Sequence, residues 1–183
     1  MSWLTDFKAD VAHYRRYDRV GPVREFATQQ GLWALLQYRL AHAVYRSQRL
    51  KGTQGPLLIA LYAWRKLIEV TTGICLPHTA SIGPGLYLNH YGPIILNKQA
   101  VIGANCDVSN GVTIGVSGST GRRGVPVIGS NVYIGPNSTV AGKISVGDGA
   151  RISANSLVIR DVPAGALVSG VPASVVRYGA SDG

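Results

Sequence analysis

The chain has 183 residues, 46% hydrophobic and 15% charged, with 18 Lys and Arg against 9 Asp and Glu, a net charge of +9 and a pI of about 9.9. That length holds one sizeable domain with an accessory segment, and so few charges on so apolar a chain exclude disorder. Its 23 glycines follow no Gly-X-Y period, which excludes collagen and points to turns. The basic excess calls for an anionic partner without choosing among nucleic acid, a phosphorylated small molecule, an acidic glycan or a membrane surface.

The first eighteen residues mix acids and bases with no apolar run. The stretch Pro56 to Trp64 is cut by Arg65 and Lys66, so neither a signal peptide nor a membrane span is expected. Cys75 and Cys106 are the two cysteines, with no CxxC and no metal-like Cys/His spacing. No disulfide scaffold or metal is expected, and a reducing, cytoplasmic setting is.

Residues 1–72 read as a helical segment, carrying eleven of the 18 basic residues and five of the 9 acidic ones. Leu32, Leu36, Leu40 and Ala43 recur at helical spacing with Arg39, Arg46 and Arg49 between them. Gly52, Gly55 and Pro56 separate this helix from another over Leu57 to Val70. His13 and His42 fall on these helices as packing or solvent-facing polar residues.

From Leu76 the period becomes six. Aliphatic anchors stand at Leu76, Ile82, Leu88, Ile94, Ile102, Val108, Ile114, Ile128, Ile134, Val140, Val146, Ile152 and Val158. Two residues before most of them sits a small or aliphatic partner, among them Ala80, Leu86, Ala100, Cys106, Val112, Val132, Ser138, Ile144, Ala150 and Ser156. A separation of two puts both side chains on one face of a strand. Each hexad is therefore a short strand with an inward pair, glycine or asparagine supplies the corners, and three strands close one coil of a triangular prism.

The expected organisation is mainly β: a solenoid over 73–163 with the helical segment before it and a tail over 164–183 that covers the open end. Two interruptions break the register, a short one near Asn97 to Gln99 and a long excursion over 116–127 with an Arg122-Arg123 pair. Extra residues in a stacked coil must leave its surface, which marks the excursion as a candidate site element.

The stretch Leu86-Tyr-Leu-Asn-His90-Tyr-Gly-Pro-Ile, the run Gly111 to Gly115, Ile134-Gly-Pro-Asn and the closing Ser169-Gly-Val-Pro-Ala resemble the hexapeptide-repeat acyltransferases. Within them the likeness is to the serine acetyltransferase-like branch, of the type found in polysaccharide biosynthesis, over residues 68 to 178. The resemblance implies a left-handed parallel β-helix, a homotrimer that the N-terminal helices extend to higher order, and acetyl-CoA as cosubstrate in the groove between neighbouring subunits. It implies His90 as the catalytic general base. The chemistry agrees, because a hydroxyl does not attack a thioester unaided at neutral pH and imidazole accepts that proton near pH 7.

His78 fits better as a corner residue. The family's Asp before the catalytic His is Asn89 here, its His-orienting Asp is Cys75, and its Arg-His pair in the excursion aligns with Gly124 and Val125. Losing charges at both ends of a zwitterion site argues against free serine, unless Arg122 or Arg123 shifts into the role. A saccharide of a surface polysaccharide, held by Asn89, Asn110, Ser117, Ser119 and Thr120, is the expected acceptor, and serine O-acetylation is the alternative. For the cosubstrate the family pattern implies Val116, Ser117, Pro136 and Ala154 beside the pantetheine arm and Lys143, Arg160 and Arg177 at the phosphates.

A non-catalytic scaffold is the reading of a different class, invited by the missing Asp. Nucleic acid is not expected, because the bases form no aromatic-interleaved cluster. The basic helical segment with its apolar run suggests peripheral contact with the inner face of a membrane.

Overall fold

The computed structural model describes residues 2–17, 22–47, 54–90, 92–119 and 123–178. Among these residues four helices come first: α1 (Trp3–Tyr17), α2 (Pro22–Thr28), α3 (Gln30–Arg46) and α4 (Gln54–Thr72). Gly55 and Pro56, expected to separate two helices, lie in the first turn of α4, where a proline loses no intrahelical hydrogen bond.

Fifteen short strands follow, and they stack into three sheets that form the faces of a parallel solenoid. Face A holds β1 (Ile74–Cys75), β4 (Ile94–Leu96), β7 (Thr113–Gly115), β10 (Thr139–Ala141) and β13 (Leu157–Val158). Face B holds β2 (Ser81–Ile82), β5 (Val101–Ile102), β8 (Val127–Ile128) and β11 (Ser145–Val146). Face C holds β3 (Tyr87–Asn89), β6 (Asp107–Ser109), β9 (Tyr133–Ile134), β12 (Arg151–Ile152), β14 (Leu167–Gly170) and β15 (Ala173–Arg177). Among the described strands all pairings are parallel except β14 with β15, which folds back antiparallel and ends the ladder.

All thirteen hexad anchors are buried, and so are their inward partners apart from half-buried Ile144. The inward register continues beyond residue 163 through Ala166 and Val168, so the tail begins inside the solenoid. Where face B turns into face C, Gly83, Gly103, Gly129 and Gly147 stack one per coil. A Cβ on Gly103 would lie 2.5 Å from the backbone of Gly129, so close stacking of coils at this corner requires glycine.

The first coil presents unpaired backbone groups at its open edge, and α1 and α3 satisfy them with side chains. The Tyr14 hydroxyl donates to the Leu88 carbonyl and accepts from the Leu88 amide, at 3.0 and 3.1 Å. Tyr38 donates to the Ala80 carbonyl at 2.8 Å and accepts from the Ile82 amide at 3.1 Å. His13 Nδ1 lies 2.6 Å from the Gly85 carbonyl and His42 Nδ1 2.7 Å from that of His78. These histidines are solenoid caps, as the same edge chemistry demands.

The buried side of α3 is rotated from the expected stripe. Leu32, Leu35, Tyr38 and Arg39 are buried, while Leu36 and Leu40 are only half-buried. The polar groups turn inward because the covered solenoid edge presents backbone N–H and C=O groups that would otherwise be buried without partners.

Candidate active site

His90 follows β3 at the corner where face C turns into face A. The ladder Leu88, Val108, Ile134 and Ile152 runs in register up face C. Two residues further along each coil come His90, Asn110, Pro136 and Ala154. Four residues expected from the sequence for catalysis, acceptor and cosubstrate therefore share one edge of the prism.

Backbone bonds tie this edge together: Gly111 N–H donates to Pro93 O at 2.6 Å, Asn137 to Asn110 O at 2.9 Å and Asn155 to Pro136 O at 2.9 Å. Pro136 takes part through its carbonyl, so its missing N–H costs the ladder nothing. Gly92 lies over Asn110, 3.1 Å from the Asn110 Cβ to a Cβ built on it.

His90 has φ of 64°, in the left-handed region, where the other described non-glycine residues are asparagines, Asn105, Asn131, Asn137 and Asn155. An L-residue there costs about 1–2 kcal/mol, which fits a residue held for its side chain and not for its turn propensity. The imidazole is exposed in the single chain, and Asn89 beside it accepts a hydrogen bond from the Tyr87 hydroxyl at 3.2 Å. Among the described residues no carboxylate pairs with His90.

The second edge of face A, where it turns into face B, carries the excursion. Ser117 and Gly124 exchange backbone hydrogen bonds at 3.2 and 3.1 Å, pinching the loop at its base. Lys143 packs against Gly124 from the coil above, and Ser117 lies near Gly142. Val116, Ser117, Lys143 and Arg160 thus share this edge, with exposed Ser119 and Arg123 on the loop. Arg122 and Thr120 lie outside the described residues.

Arg177 stands apart at the end of β15, paired with Leu167 on face C. The expected site residues that are described are therefore split between the two edges of face A and the far end of face C. Face A between the edges presents Cys75, Ile95, Thr113, Thr139 and Leu157 in one outward row without charge.

Cys75 shows what sequence reasoning missed. Burial, with the nearby Glu69 carboxylate second, pushes its thiol up to about 11. Glu69 Oε2 is 2.5 Å from Lys66 Nζ and Oε1 is 3.2 Å from Arg65 Nε. Burial alone would raise the Glu69 carboxyl, but Lys66, Cys75 and Arg65 outweigh it and hold it below the ordinary range. The i, i+3 and i, i+4 spacing of Arg65, Lys66 and Glu69 was the available signal. A thiol raised this far is a poor nucleophile at neutral pH, and buried Cys106, also pushed up to about 11, is another.

His78 is half-buried, lies edge-on to Tyr45 with ring centroids 5.2 Å apart, and is shifted down by burial and by the Arg65 and His42 charges. Its carbonyl receives His42, in keeping with a corner residue.

The model of a family described as bacterial transferase hexapeptide (six repeats) matches residues 126–160. Serine acetyltransferase 2 of Arabidopsis thaliana is 38% identical over 149 residues, 81% of this chain and 43% of that protein. The serine acetyltransferase of Mycobacterium tuberculosis is 30% identical over 175 residues, 94% of this chain and 73% of that protein. Among solved structures, soybean serine acetyltransferase complexed with serine superposes with a TM-score of 0.82 at 30% identity, covering 96% of this chain and 70% of the other. The chain thus spans less than half of the Arabidopsis relative and about 70% of the soybean one.

Proposed function

This chain belongs to the serine acetyltransferase family of hexapeptide-repeat transferases, and on that premise we propose that it transfers an acetyl group from acetyl-CoA to the hydroxyl of serine. The observation that carries this reading is the edge holding His90 under Asn110, Pro136 and Ala154, on a chain aligned over 94% of its length with a serine acetyltransferase.

In this reading His90 takes the proton as the acceptor oxygen bonds to the thioester carbonyl carbon. The tetrahedral adduct then collapses, the carbon–sulfur bond breaks, and His90 returns the proton to the departing thiolate. Oxygen gains the acetyl group and sulfur the proton. The left-handed backbone at His90 holds the imidazole out from the prism, where both substrates reach it. The raised thiols at Cys75 and Cys106 support direct transfer over an acyl-cysteine intermediate.

A face of the prism separates His90 from Ser117, Lys143 and Arg160. Its strands alone span roughly 10 Å at about 3.3 Å per residue, so one chain does not wrap both edges around a small substrate. A homotrimer that sets the His90 edge of one copy against the excursion edge of the next supplies the missing wall, with Lys143, Arg160 and Arg123 as cations for phosphates or a carboxylate.

The relatives favour serine over the saccharide acceptor expected from the residue losses. The saccharide remains the second reading, favoured by one observation: Asn89, Gly124 and Val125 put no charge where a zwitterion needs one, and Glu69 beside Cys75 is already occupied by Lys66 and Arg65. Release of free CoA from acetyl-CoA, measured with serine and with a panel of sugars and nucleotide sugars, tests both. Serine-dependent release supports the primary reading, and sugar-dependent release replaces it. No release together with no acetyl-CoA binding leaves the scaffold reading.

A further inference from the structure

A cavity of about 680 Å³ opens between α1, α3 and the first coils of the solenoid. Its floor runs from Ser81 to Pro84 with Ile102 beside it, at the corner where face B turns into face C. His90 stands at the corner of faces C and A and the excursion at that of A and B, so the cavity occupies the third corner of the prism. Its volume suits a whole small molecule, since such sites run to roughly 300–1,000 Å³.

The backbone of the floor is already used. The Ile82 and Gly83 carbonyls accept from Arg39, the Gly83 amide donates to Ile102 and the Pro84 carbonyl accepts from Asn105. The side chains of the α3 wall are not. Arg39, 3% exposed, places its other N–H groups on Asp10, Ile82 and Gly83, but the second N–H of Nη1 has no partner among the described residues. His42 donates from Nδ1 to the His78 carbonyl, which leaves Nε2 as an acceptor without a hydrogen bond. Arg46 is exposed and has no ion pair among the described residues. Spaced i, i+3 and i+7, the three line one side of α3 over roughly 10 Å at 1.5 Å per residue.

The opposite wall is α1. Gly31 lies against the Tyr14 hydroxyl and Arg39 against Asp10, so the two helices run antiparallel and the first turn of α1 faces the last turns of α3. That turn brings Trp3 and Asp6 to the cavity, three residues apart on one side of the helix. Asp6 is half-buried, and its carboxylate has no hydrogen bond or ion pair among the described residues. A carboxylate one turn from an indole receives an ammonium, by charge and by cation–π attraction.

A simple anion is repelled by Asp6, and a simple cation by Arg39 and Arg46. A molecule with an ammonium at one end, a carboxylate at the other and amides between them meets every one of these groups. One amino acid is too short to reach from Asp6 along the α3 row, whereas three extended residues span roughly 10 Å. We propose that this cavity binds a short peptide of two or three residues. Its ammonium sits at Asp6 and Trp3, a backbone carbonyl accepts from Arg39 Nη1, a backbone N–H donates to His42 Nε2, and its carboxylate pairs with Arg46. The site is independent of the acetyl-transfer reading.

The test is calorimetry on the full-length protein with trialanine, N-acetyl-trialanine and trialanine amide. Trialanine should bind saturably, one per chain, in wild type and in His90→Ala alike, and neither serine nor CoA should displace it. Blocking either end should weaken binding at least about tenfold, as expected for loss of a charged hydrogen bond. Arg46→Gln should weaken trialanine about tenfold and leave the amide unchanged, while Asp6→Asn should weaken trialanine similarly and leave the N-acetyl form unchanged. Circular dichroism of both variants should match wild type. No saturation below roughly 10 mM overturns the proposal. So do displacement by serine or CoA, and losses in the two variants that do not depend on which end is blocked. Saturable binding of inorganic phosphate that Arg46→Gln abolishes and Asp6→Asn strengthens overturns it in favour of a plain anion site.

Discussion

Asp10 and Arg39 form a two-pronged ion pair, Arg39 Nε to Oδ2 and Nη2 to Oδ1 at 2.9 Å each, buried between the helices and the first coil of the solenoid. Arg39 also donates to the carbonyls of Ile82 and Gly83, both at 2.7 Å, and Asp10 accepts from the amides of Gly85 and Leu86 at 2.8 and 2.9 Å. Burial pushes the Asp10 carboxyl up while Arg39 and the two amides pull against it. The pair is thus a plug for the open edge, with each charge used to satisfy backbone as well as its partner.

Asp10→Ala strands a buried guanidinium and two amides. It should cost about 3–5 kcal/mol in a denaturant titration followed by circular dichroism. A loss below about 1 kcal/mol would show that the plug is not what holds α1 to the coil.

Tyr38 is buried, and that burial pushes its hydroxyl up to about 12. A group raised in the fold stabilises fully below its unfolded value near 10, and that stability is lost as pH rises through the folded value. Wild-type stability should therefore fall between about pH 10 and 12. Tyr38→Phe should cost about 1–3 kcal/mol at neutral pH and flatten that alkaline limb. Thermal midpoints measured across the range check both.

Gly103→Ala places a methyl 2.5 Å from the backbone of Gly129 and should destabilise by about 2–4 kcal/mol, since neither coil can move without unstacking its neighbours. Gly55→Ala, with nothing within 4 Å of the added carbon, is the control and should be neutral or slightly stabilising. Equal effects of the two on the unfolding midpoint would remove the stacking argument.

His90→Ala should lower turnover at least about a hundredfold, in line with general-base contributions of roughly 10²–10⁴. Acetyl-CoA affinity, followed by calorimetry, should change little, because the imidazole meets the proton and not the cofactor body. Unchanged turnover would take the base role from His90.

Cys75→Ser keeps a donor for Glu69 and removes the sulfur. Turnover within about twofold of wild type is expected for direct transfer, since a thiol raised to about 11 carries almost no thiolate at pH 7. An acetylated Cys75 peptide found by mass spectrometry after incubation with acetyl-CoA would overturn the direct route.

Much of this was legible in the chain itself. A six-residue period over thirteen anchors specifies short strands with inward pairs, because side-chain alternation along a strand leaves no other way to bury every sixth residue. His90 was singled out by the resemblance of its neighbours Leu88, Asn89 and Gly92, and its part in the reaction belongs to the proposed function. The saccharide acceptor, argued from residues that are missing, was not what the relatives support, because absent charges do not say what replaces them.

The sequence alone determined the repeat, the corners and the excursion, all of them local in spacing. Tertiary structure decided what depends on residues far apart in the chain: that Asp10, His13, Tyr14, Tyr38 and Arg39 turn inward to cap a solenoid edge, and that Glu69 sits beside Cys75. It also placed most of the expected site residues on two edges of face A, with Arg177 apart on face C. No periodicity encodes these relationships, because water satisfies a polar helix side chain as well, and only the stacked coils create buried backbone groups that require one.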